Sequence, residues 1–376
     1  MIKVGITGQA GFVGTHLFNT LSFREGFERV PFEDGFFQNE SSLDQFVSQC
    51  DVVVHLAAMN RHNDPEVLYQ TNIGLVKKLI SAFDRTNSRP HVLFSSSTQE
   101  ERDNLYGKSK KEGRELFEGW AKEKGGKFTG IIIPNVYGPF GHPYYNSVVA
   151  TFCHQLTHGE TPVVNGDGEL KLVFVTELVD DILDKVLEAT KKDKGLVEKF
   201  LVPHRYTITV LQLLALITKY KEEYFEQGKI PLIENRFELN LFNTFRCYMP
   251  IKDHFPVKYV KYTDPRGAFV ELARLDIGGQ TSYSTTVPDI TRGNHFHTRK
   301  IERFSVIKGK ALIEMRRIGT EEVFSFELDG EEPSYVDMPI WHTHNVKNVG
   351  DEELITVFWI NEPYDEKDSD TYFETV

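Results

Sequence analysis

The sequence has little of what disulfide-stabilised or membrane-spanning proteins require. Cysteine occurs at only three of 376 positions, Cys50, Cys153 and Cys247, and this odd number at wide spacing predicts reduced thiols rather than a disulfide framework. No apolar run is long enough to span a bilayer, and the first residues enter a strand pattern without a signal-peptide pattern. We therefore expect a cytoplasmic protein with no membrane insertion.

Positive charge is also in short supply. Lysine and arginine total 43 against 55 aspartate and glutamate residues, which gives a formal net charge of -12. Nucleic acids and anionic membranes attract clustered cationic side chains, so the composition argues against both as partners. An anionic small molecule would instead be held locally, by backbone N–H groups and a few side chains.

Two regions of different periodicity divide a chain that is too long for one ordinary hydrophobic core. Up to about residue 187, apolar strands such as KVGIT and HVLFSS alternate with helical segments, which predicts a Rossmann-type, doubly wound parallel sheet. One more helix is predicted for TITVLQLLALITKYKEEYFEQG. After Phe245, short strands separated by turns predict an antiparallel sandwich or barrel. The predicted fold class is α/β plus all-β, with domains at residues 1–248 and 249–376.

A glycine-rich turn follows the first predicted strand. In TGQAGFVG, Gly8, Gly11 and Gly14 stand between that strand and a helix, where glycine lets the backbone approach a pyrophosphate closely. The second strand is predicted to end at VPFED, where Glu33 or Asp34 could accept a hydrogen bond from a ribose 2′-OH. The acidic group favours NAD(H) over NADP(H), and the choice between them stays open.

This spacing resembles that of the extended short-chain dehydrogenase/reductase family, as do HLAA at 55–58, TN at 71–72, FSSS at 94–97, YGKSK at 106–110 and PNVYGP at 134–139. The resemblance implies a nicotinamide cofactor, with NADP(H) as the family expectation, and a nucleotide-sugar substrate contacted by Asn135 and Asn146. The implied cofactor-binding residues are Gly8, Gly11, Phe12, Val13, Gly14, Glu33, Leu56, Ala57, Ala58, Lys110 and Pro134.

Three residues of these motifs suit carbonyl reduction. Tyr106 and Lys110 are four positions apart, so on a helix they share a face. The ammonium is expected to lower the pKa of the phenol and make Tyr106 a proton donor to a developing alkoxide. Ser97, with Thr98 as a weaker candidate, is expected to hydrogen-bond the carbonyl oxygen while the cofactor delivers hydride.

A second motif set lies in RGNHFHTRKIERFSVIKG and PIWHTHNVKN. His295 and His297 alternate on one predicted strand, and with Glu302 and His344 they form a candidate site for a divalent first-row metal. The motifs resemble those of the cupin family of jelly-roll barrels, with Asp289 and Trp341 standing where its motifs have glycine. Arg292 is a candidate phosphate contact.

Over essentially its whole length the chain resembles the CapF family of bifunctional capsular-polysaccharide and O-antigen enzymes. The resemblance implies a homodimer with a Zn²⁺-dependent cupin that epimerises C3 of a UDP-2-acetamido-2,6-dideoxy-4-hexulose. It also implies an NADPH-dependent reductase domain that converts the C4 ketone to the L-talose derivative. For the C3 proton transfer, Tyr283, Lys300 and His342 are candidates without preference; His342 is expected to face away from His344.

Substrate chemistry predicts the order of the two steps. A C3 proton is acidic only while C4 is a carbonyl, so epimerisation must precede reduction. Three alternatives stay open: a non-catalytic sensor of NAD(P) and sugar, a UDP-sugar 4-epimerase with an appended cupin, and a metal that only stabilises the barrel.

Overall fold

The computed structural model describes residues 1–191, 195–264, 267–270, 272–273, 275, 278–362 and 365–376. They form two compact units, the first made of Met1–Val148 with Gly168–Thr209 and the second of Val149–Asp167 with Val210–Val376. Among the described helices, none is both long and apolar enough to cross a membrane. All three cysteines are free thiols.

The helices and strands are numbered in chain order. The helices are α1 (Phe12–Leu21), α2 (Glu40–Gln49), α3 (Pro65–Thr86), α4 (Leu105–Lys124), α5 (Val148–Thr157), α6 (Val175–Thr190), α7 (Val210–Tyr220), α8 (Arg236–Arg246) and α9 (Ile251–His254). Short 3-10 segments occur at Asp34–Gln38, Thr98–Glu101 and Glu366–Asp368, and a π-helical segment at Lys221–Phe225.

The strands of the first unit are β1 (Ile2–Thr7), β2 (Phe27–Val30), β3 (Val52–His55), β4 (His91–Ser97), β5 (Lys127–Ile133), β6 (Asn135–Tyr137), β7 (Glu169–Phe174), β8 (Val197–Leu201) and β9 (Tyr206–Thr209). Those of the second are β10 (Val257–Lys258), β11 (Lys261–Asp264), β12 (Gly267–Val270), β13 (Gln280–Thr286), β14 (Thr291–Phe296), β15 (Glu302–Lys308), β16 (Lys310–Arg317), β17 (Val323–Asp329), β18 (Ser334–Met338), β19 (His342–Asn348), β20 (Leu354–Ile360) and β21 (Tyr372–Phe373).

The first unit is built on a six-stranded parallel sheet in the order β2-β1-β3-β4-β5-β8. Successive side chains point to opposite faces, so Val53 packs against residues of α2, α3 and α4, whereas Val52 and Val54 pack against residues of α1 and α6. Both faces are buried, which explains the continuous apolar strands in the sequence. A smaller sheet, β6-β7-β9, completes the unit.

The second unit contains two five-stranded sheets, ordered β10-β18-β15-β20-β13 and β17-β16-β19-β14-β21, and the hairpin β11-β12. The pairings within these three sheets are antiparallel. The predicted class, α/β followed by all-β, is therefore confirmed.

Helices of the second unit are joined to its strands by a buried polar network. Arg303 forms a bidentate ion pair with Asp337, with Nε–Oδ1 and Nη2–Oδ2 distances of 2.8 and 2.9 Å. The Tyr224 hydroxyl donates to Asp337 Oδ2 at 2.6 Å, and Arg246 Nη2 donates to the Met338 carbonyl at 3.0 Å. Because a buried charge left without a partner is strongly destabilising, this network holds α8 and the π-helical segment against β15 and β18.

Two predicted elements differ in their bounds. Strand β2 ends at Val30, the first residue of the VPFED stretch, so Glu33 and Asp34 lie beyond the strand. The segment predicted as one helix from Thr207 starts as strand β9, because its consecutive β-branched residues pair with β7, and α7 begins at Val210. The compact units place residues 210–248 with the β-rich region, whereas the division at 248/249 stays a prediction.

Candidate active site and metal centre

A cavity of about 1020 Å³ opens in the first unit beside the carboxyl ends of β1, β3, β4 and β5. Parallel strands bring these ends to one edge of the sheet, which is where α/β proteins bind ligands. The glycine-rich turn after β1, residues 56–60 after β3, and residues 95–97 at the end of β4 all contribute to its wall. The cavity thus joins the predicted motifs in one place.

Glycine is sterically required in the turn between β1 and α1. Gly8 has a φ of 71°, and a Cβ at this position would lie 2.8 Å from the Ala57 nitrogen. At Gly14 a Cβ would lie 2.1 Å from the Gly8 carbonyl oxygen. Gly11 is the N-cap of α1 and supplies no side-chain cap, so the first turn of the helix faces the cavity without a competing side chain. This geometry fits a dinucleotide pyrophosphate.

The predicted catalytic residues meet at the end of β4 and the start of α4. Asn104 caps this helix by accepting a hydrogen bond from the Gly107 nitrogen at 2.7 Å. Tyr106 and Lys110 line the cavity together with Ser97, whose hydroxyl hydrogen-bonds the Tyr106 side chain. Lys110 Nζ donates to the Ser95 carbonyl at 2.9 Å and lies 5.8 Å from the centre of the Tyr106 ring.

The pKa of Tyr106 moves in the direction opposite to the expected one. Burial raises it to about 12, against a smaller lowering by the Ser97 hydroxyl. Burial also lowers the pKa of Lys110 to about 8, while Glu100 opposes that shift. The expected lowering of the phenol pKa by the ammonium is therefore wrong for this structure. A phenol that stays protonated at neutral pH is nevertheless the form that donates a proton in a reduction.

A buried ion pair stabilises the segment between β4 and α4. Glu100, in the 3-10 segment after β4, accepts from Arg114 Nε at 2.9 Å and also from the Ser96 hydroxyl. The side chain of Asn72 connects the loop after β3 to α4, accepting from the Met59 nitrogen at 2.7 Å and donating to Ser109 Oγ at 3.1 Å. Asn72 therefore holds a structural position between the two segments.

All but one of the predicted cofactor residues line this cavity. Those present are Gly8, Gly11, Phe12, Val13, Gly14, Leu56, Ala57, Ala58, Lys110 and Pro134, together with the predicted substrate residues Asn135 and Asn146. Glu33 is not among the lining residues, whereas Asp34 is. The lining residues not predicted include Phe37, Gln38, Asn60, His142 and Tyr145. Phe37 and Gln38 lie in the 3-10 segment after β2 and the others in loops, all without a recognisable motif, so only their position after strand ends could have indicated them.

The four predicted metal ligands meet in the second unit. His295 lies on β14, His297 follows it, Glu302 begins β15 and His344 lies on β19, with one ligand atom from each residue all within 4.8 Å of one another. His295 is paired with His344 beside a register shift that starts at Gly293. Bulges of this kind redirect a side chain, here toward the cluster.

The orientation of the imidazoles fits a bound cation. His297 Nδ1 contacts the Asp370 carbonyl oxygen at 2.5 Å, and His344 Nδ1 contacts the His342 carbonyl oxygen at 3.2 Å. Donation from both Nδ1 atoms leaves the Nε2 lone pairs directed at Glu302 Oε2, at 2.9 and 3.2 Å. These three buried atoms have no hydrogen bond of ordinary geometry among the described residues. Three imidazoles and a carboxylate match the ligand preference of Zn²⁺.

The two residues that replace family glycines adopt the conformation for which glycine is favoured. Asp289 has a φ of 64° and Trp341 a φ of 61°. Trp341 is buried, and its ring stacks on that of Phe296 with centroids 5.7 Å apart. The backbone nitrogen of Trp341 donates to the His297 carbonyl at 2.8 Å. These contacts compensate for the left-handed backbone beside the cluster.

The remaining candidates of the second unit are placed differently. Arg292 donates to Thr286 Oγ1 and to the Thr285 carbonyl, both at 3.0 Å, so its role as a phosphate contact stays a prediction. Tyr283 is 73% exposed. Lys300 and His342 are buried, and His342 lies two residues before His344 on β19. Side chains two apart on a strand share a face, so the expectation that these two histidines face opposite sides is wrong.

Comparisons with known proteins agree with this architecture. Residues 4–199 match the NAD dependent epimerase/dehydratase family, and residues 262–372 match the polysaccharide biosynthesis C-terminal domain. The chain belongs to the NAD dependent epimerase/dehydratase family.

Individual relatives show more specifically which proteins the chain is similar to. The chain is 33% identical to UDP-2-acetamido-2,6-beta-L-arabino-hexul-4-ose reductase of Pseudomonas aeruginosa over 378 residues, covering 99% of this chain and 98% of the relative. It is similar to the crystal structure of the capsular polysaccharide assembling protein CapF of Staphylococcus aureus, with 31% identity, a TM-score of 0.62 and full coverage of both chains. The predicted resemblance to the CapF family is thereby confirmed. The UDP-glucose 4-epimerase of Thermotoga maritima shares the fold, at 21% identity and a TM-score of 0.55, over 66% of this chain and 98% of its own.

Proposed function

We propose that this chain converts a UDP-2-acetamido-2,6-dideoxy-4-hexulose to the corresponding L-talose derivative in two steps. The second unit, a cupin-type domain, epimerises C3, and the first unit then reduces the C4 ketone with NAD(P)H. The observation that carries the proposal is the convergence of Ser97, Tyr106 and Lys110 with the glycine-rich turn on one cavity, in a chain related over its full length to a hexul-4-ose reductase.

The chain's own residues support the reduction step. When bound, the nicotinamide supplies a hydride to C4. Tyr106 then donates its phenolic proton to the developing alkoxide at O4. The Ser97 hydroxyl, which accepts from the Gln99 nitrogen at 3.2 Å and hydrogen-bonds the Tyr106 side chain, redirects its hydrogen to the same oxygen when substrate is bound. The Lys110 ammonium stabilises the negative charge that Tyr106 acquires. The hydride at C4 and the phenolic proton at O4 together convert the ketone to an alcohol.

The epimerisation is proposed for the cluster of His295, His297, Glu302 and His344. A Zn²⁺ ion held there would supply Lewis-acid stabilisation of negative charge on the substrate. Because the C3 proton is acidic only beside the C4 ketone, this step comes first. Lys300 and His342 are buried and remain candidates for the proton transfer. Tyr283 is exposed, and its side chain lies on the other face of β13 from that of Ser282.

The biological setting is part of the same proposal. Capsule or O-antigen synthesis is supported by the polysaccharide biosynthesis domain match at residues 262–372. The route that we propose leads to UDP-N-acetyl-L-fucosamine, in the cytoplasm, by a homodimer that binds neither nucleic acid nor membranes.

Replacing Tyr106 by Phe tests the division of labour. We expect NAD(P)H oxidation on UDP-4-keto-sugars to fall by about 10²- to 10⁴-fold, because general acid catalysis is lost. Deuterium wash-in at C3, followed by NMR in D₂O, should continue at the wild-type rate. Loss of both activities would refute two separate sites. A wild-type protein that oxidises no cofactor with any such sugar would instead support a sensor.

A further inference from the structure

The turn that precedes α5 contributes two tyrosines, and one of them lines the first-unit cavity. Tyr145 is half-buried and belongs to the cavity wall together with Tyr106, whereas Tyr144 is 50% exposed and is not among the lining residues. Burial is the main cause of the raised pKa of Tyr106, and the Tyr145 phenol adds to that rise. The two phenols therefore lie near each other at the reacting end of the cavity.

The hydroxyl of Tyr145 has a hydrogen to donate. The Asn60 nitrogen donates to this hydroxyl at 3.2 Å, and Arg61 Nη1 donates to the Tyr144 carbonyl at 3.1 Å, so the turn is fastened to the loop after β3 at two points. A phenol carries one hydrogen and accepts through its oxygen. Among the described residues none accepts from Tyr145, so its O–H group is available to a ligand in the cavity.

A chain of hydrogen bonds links this loop to the helix of the proton donor. The Met59 nitrogen, in the loop after β3, donates to the Asn72 side chain at 2.7 Å, and that side chain donates to Ser109 Oγ at 3.1 Å. Ser109 Oγ donates in turn to the Tyr106 carbonyl at 2.8 Å. Because Asn72 and Ser109 are buried, the chain is shielded from water and holds the loop, with the turn fastened to it, at a defined position relative to Tyr106.

The chemistry of the proposed substrate identifies the ligand atom that accepts this hydrogen. Ser97 and Tyr106 both serve O4, so a phenol close to Tyr106 reaches the groups on the two carbons that flank C4. In a 2-acetamido-2,6-dideoxy-4-hexulose, C5 carries a methyl group, which cannot accept a hydrogen bond, whereas C3 carries a hydroxyl group. O3 is therefore the exocyclic acceptor adjacent to the reacting carbonyl.

We propose that Tyr145 donates its hydroxyl hydrogen to O3 of the keto-sugar and thereby contributes to the specificity of the reductase site. Inversion at C3 moves this oxygen to the other face of the sugar ring. A donor at a fixed position then contacts O3 in only one of the two epimers, so the reductase favours the epimerised ketone over its precursor. This proposal rests on the proposed reductase function and names a residue that enforces the order of the two steps.

The test compares two adjacent tyrosines on two ketones. Full-length wild type, Tyr145→Phe and Tyr144→Phe are assayed for NAD(P)H oxidation with the UDP-2-acetamido-2,6-dideoxy-4-hexulose and with its 3-deoxy analogue, which has neither O3 nor a stereocentre at C3. Tyr145→Phe should lower kcat/KM for the first ketone by about 3- to 10-fold, the effect of one neutral hydrogen bond, and leave kcat/KM for the 3-deoxy analogue unchanged. Tyr144→Phe, which removes an equal hydroxyl outside the cavity wall, should change neither value.

The stereochemistry of the alcohol product gives a second readout. NMR of the product formed by Tyr145→Phe should show a larger share of the alcohol whose C3 has not been inverted. Deuterium wash-in at C3 should continue at the wild-type rate, because the candidate metal ligands are unaltered in this variant.

Other outcomes would contradict the contact with O3. An equal loss on both ketones would mean that Tyr145 only holds the turn in place, and an equal loss in Tyr144→Phe would remove the specific role of the cavity hydroxyl. An unchanged kcat/KM in Tyr145→Phe would refute the contact directly. If the wild type oxidises cofactor with neither ketone, the proposed reductase function itself fails, and this result does not depend on the variants.

Discussion

Burial determines the protonation of single residues in the reductase cavity. Tyr106 and Lys110 occupy neighbouring turns of α4, and the same low-dielectric surroundings raise the pKa of the phenol to about 12 and lower the pKa of the ammonium to about 8. Burial thus keeps the proposed proton donor, Tyr106, protonated at neutral pH, whereas the Lys110 ammonium loses its charge in mildly alkaline solution.

The pH dependence of reduction should therefore follow Lys110. As pH rises through about 8, the ammonium deprotonates, so kcat/KM for the keto-sugar should fall with an apparent pKa near that value. In Lys110→Arg the charge persists, since guanidinium stays protonated, and the alkaline limb should disappear even if the rate at neutral pH is lower. Steady-state rates of wild type and variant, measured over a pH series, test this prediction. If the alkaline fall in kcat/KM is unchanged in Lys110→Arg, it reports a group other than Lys110.

At the scale of elements, the segment around Asp370 completes the candidate metal centre. Asp370, 4% exposed, accepts hydrogen bonds through its carboxylate from the backbone nitrogens of Thr298, Arg299 and Lys300, at 3.0 to 3.2 Å. Its carbonyl oxygen contacts His297 Nδ1. One residue of the segment thus fixes both the turn between β14 and β15 and the ring orientation of a candidate ligand.

Removal of this carboxylate should weaken metal binding. We expect Asp370→Ala to lower the affinity for Zn²⁺ by about 10- to 100-fold, the usual effect of losing a group that orients a ligand. The matched control is Asp368→Ala, because Asp368 is exposed and its side chain contacts only Arg299 among the described residues. Competition with a chromophoric chelator measures the Zn²⁺ affinity of each variant. Equal affinities in the two variants would contradict a positioning role for Asp370.

At the scale of the whole molecule, the two candidate sites belong to different compact units. Every residue that lines the cavity beside the parallel sheet lies within the first unit, and all four candidate metal ligands lie within the second. The two activities should therefore be separable by treatments that affect only one unit.

Chelation provides such a treatment. Incubation with EDTA should abolish deuterium wash-in at C3 and lower the melting temperature of the second unit, because three ligand atoms would be left buried and poorly paired. Nicotinamide nucleotide binding by the first unit should be unchanged, as measured by calorimetry. Chelation that lowers the melting temperature but leaves C3 exchange intact would favour a metal with a structural role only.

Local sequence patterns were sufficient for the fold class and for most motif residues. Strand and helix periodicity reflects which faces are buried, and the spacing of Gly8, Gly11 and Gly14 reflects a turn that admits no Cβ. Likewise, His295 and His297 are close in the chain, so their common direction follows from strand geometry alone.

Only the tertiary structure decided what depends on residues distant in the chain. It placed Asp34 rather than Glu33 in the cavity wall and brought Asp370 to His297, 73 residues away. It also reversed the expected shift of the Tyr106 pKa, because burial by the surrounding fold outweighs the hydrogen bond from Ser97. Contacts and desolvation are properties of the packed chain, and no local pattern encodes them.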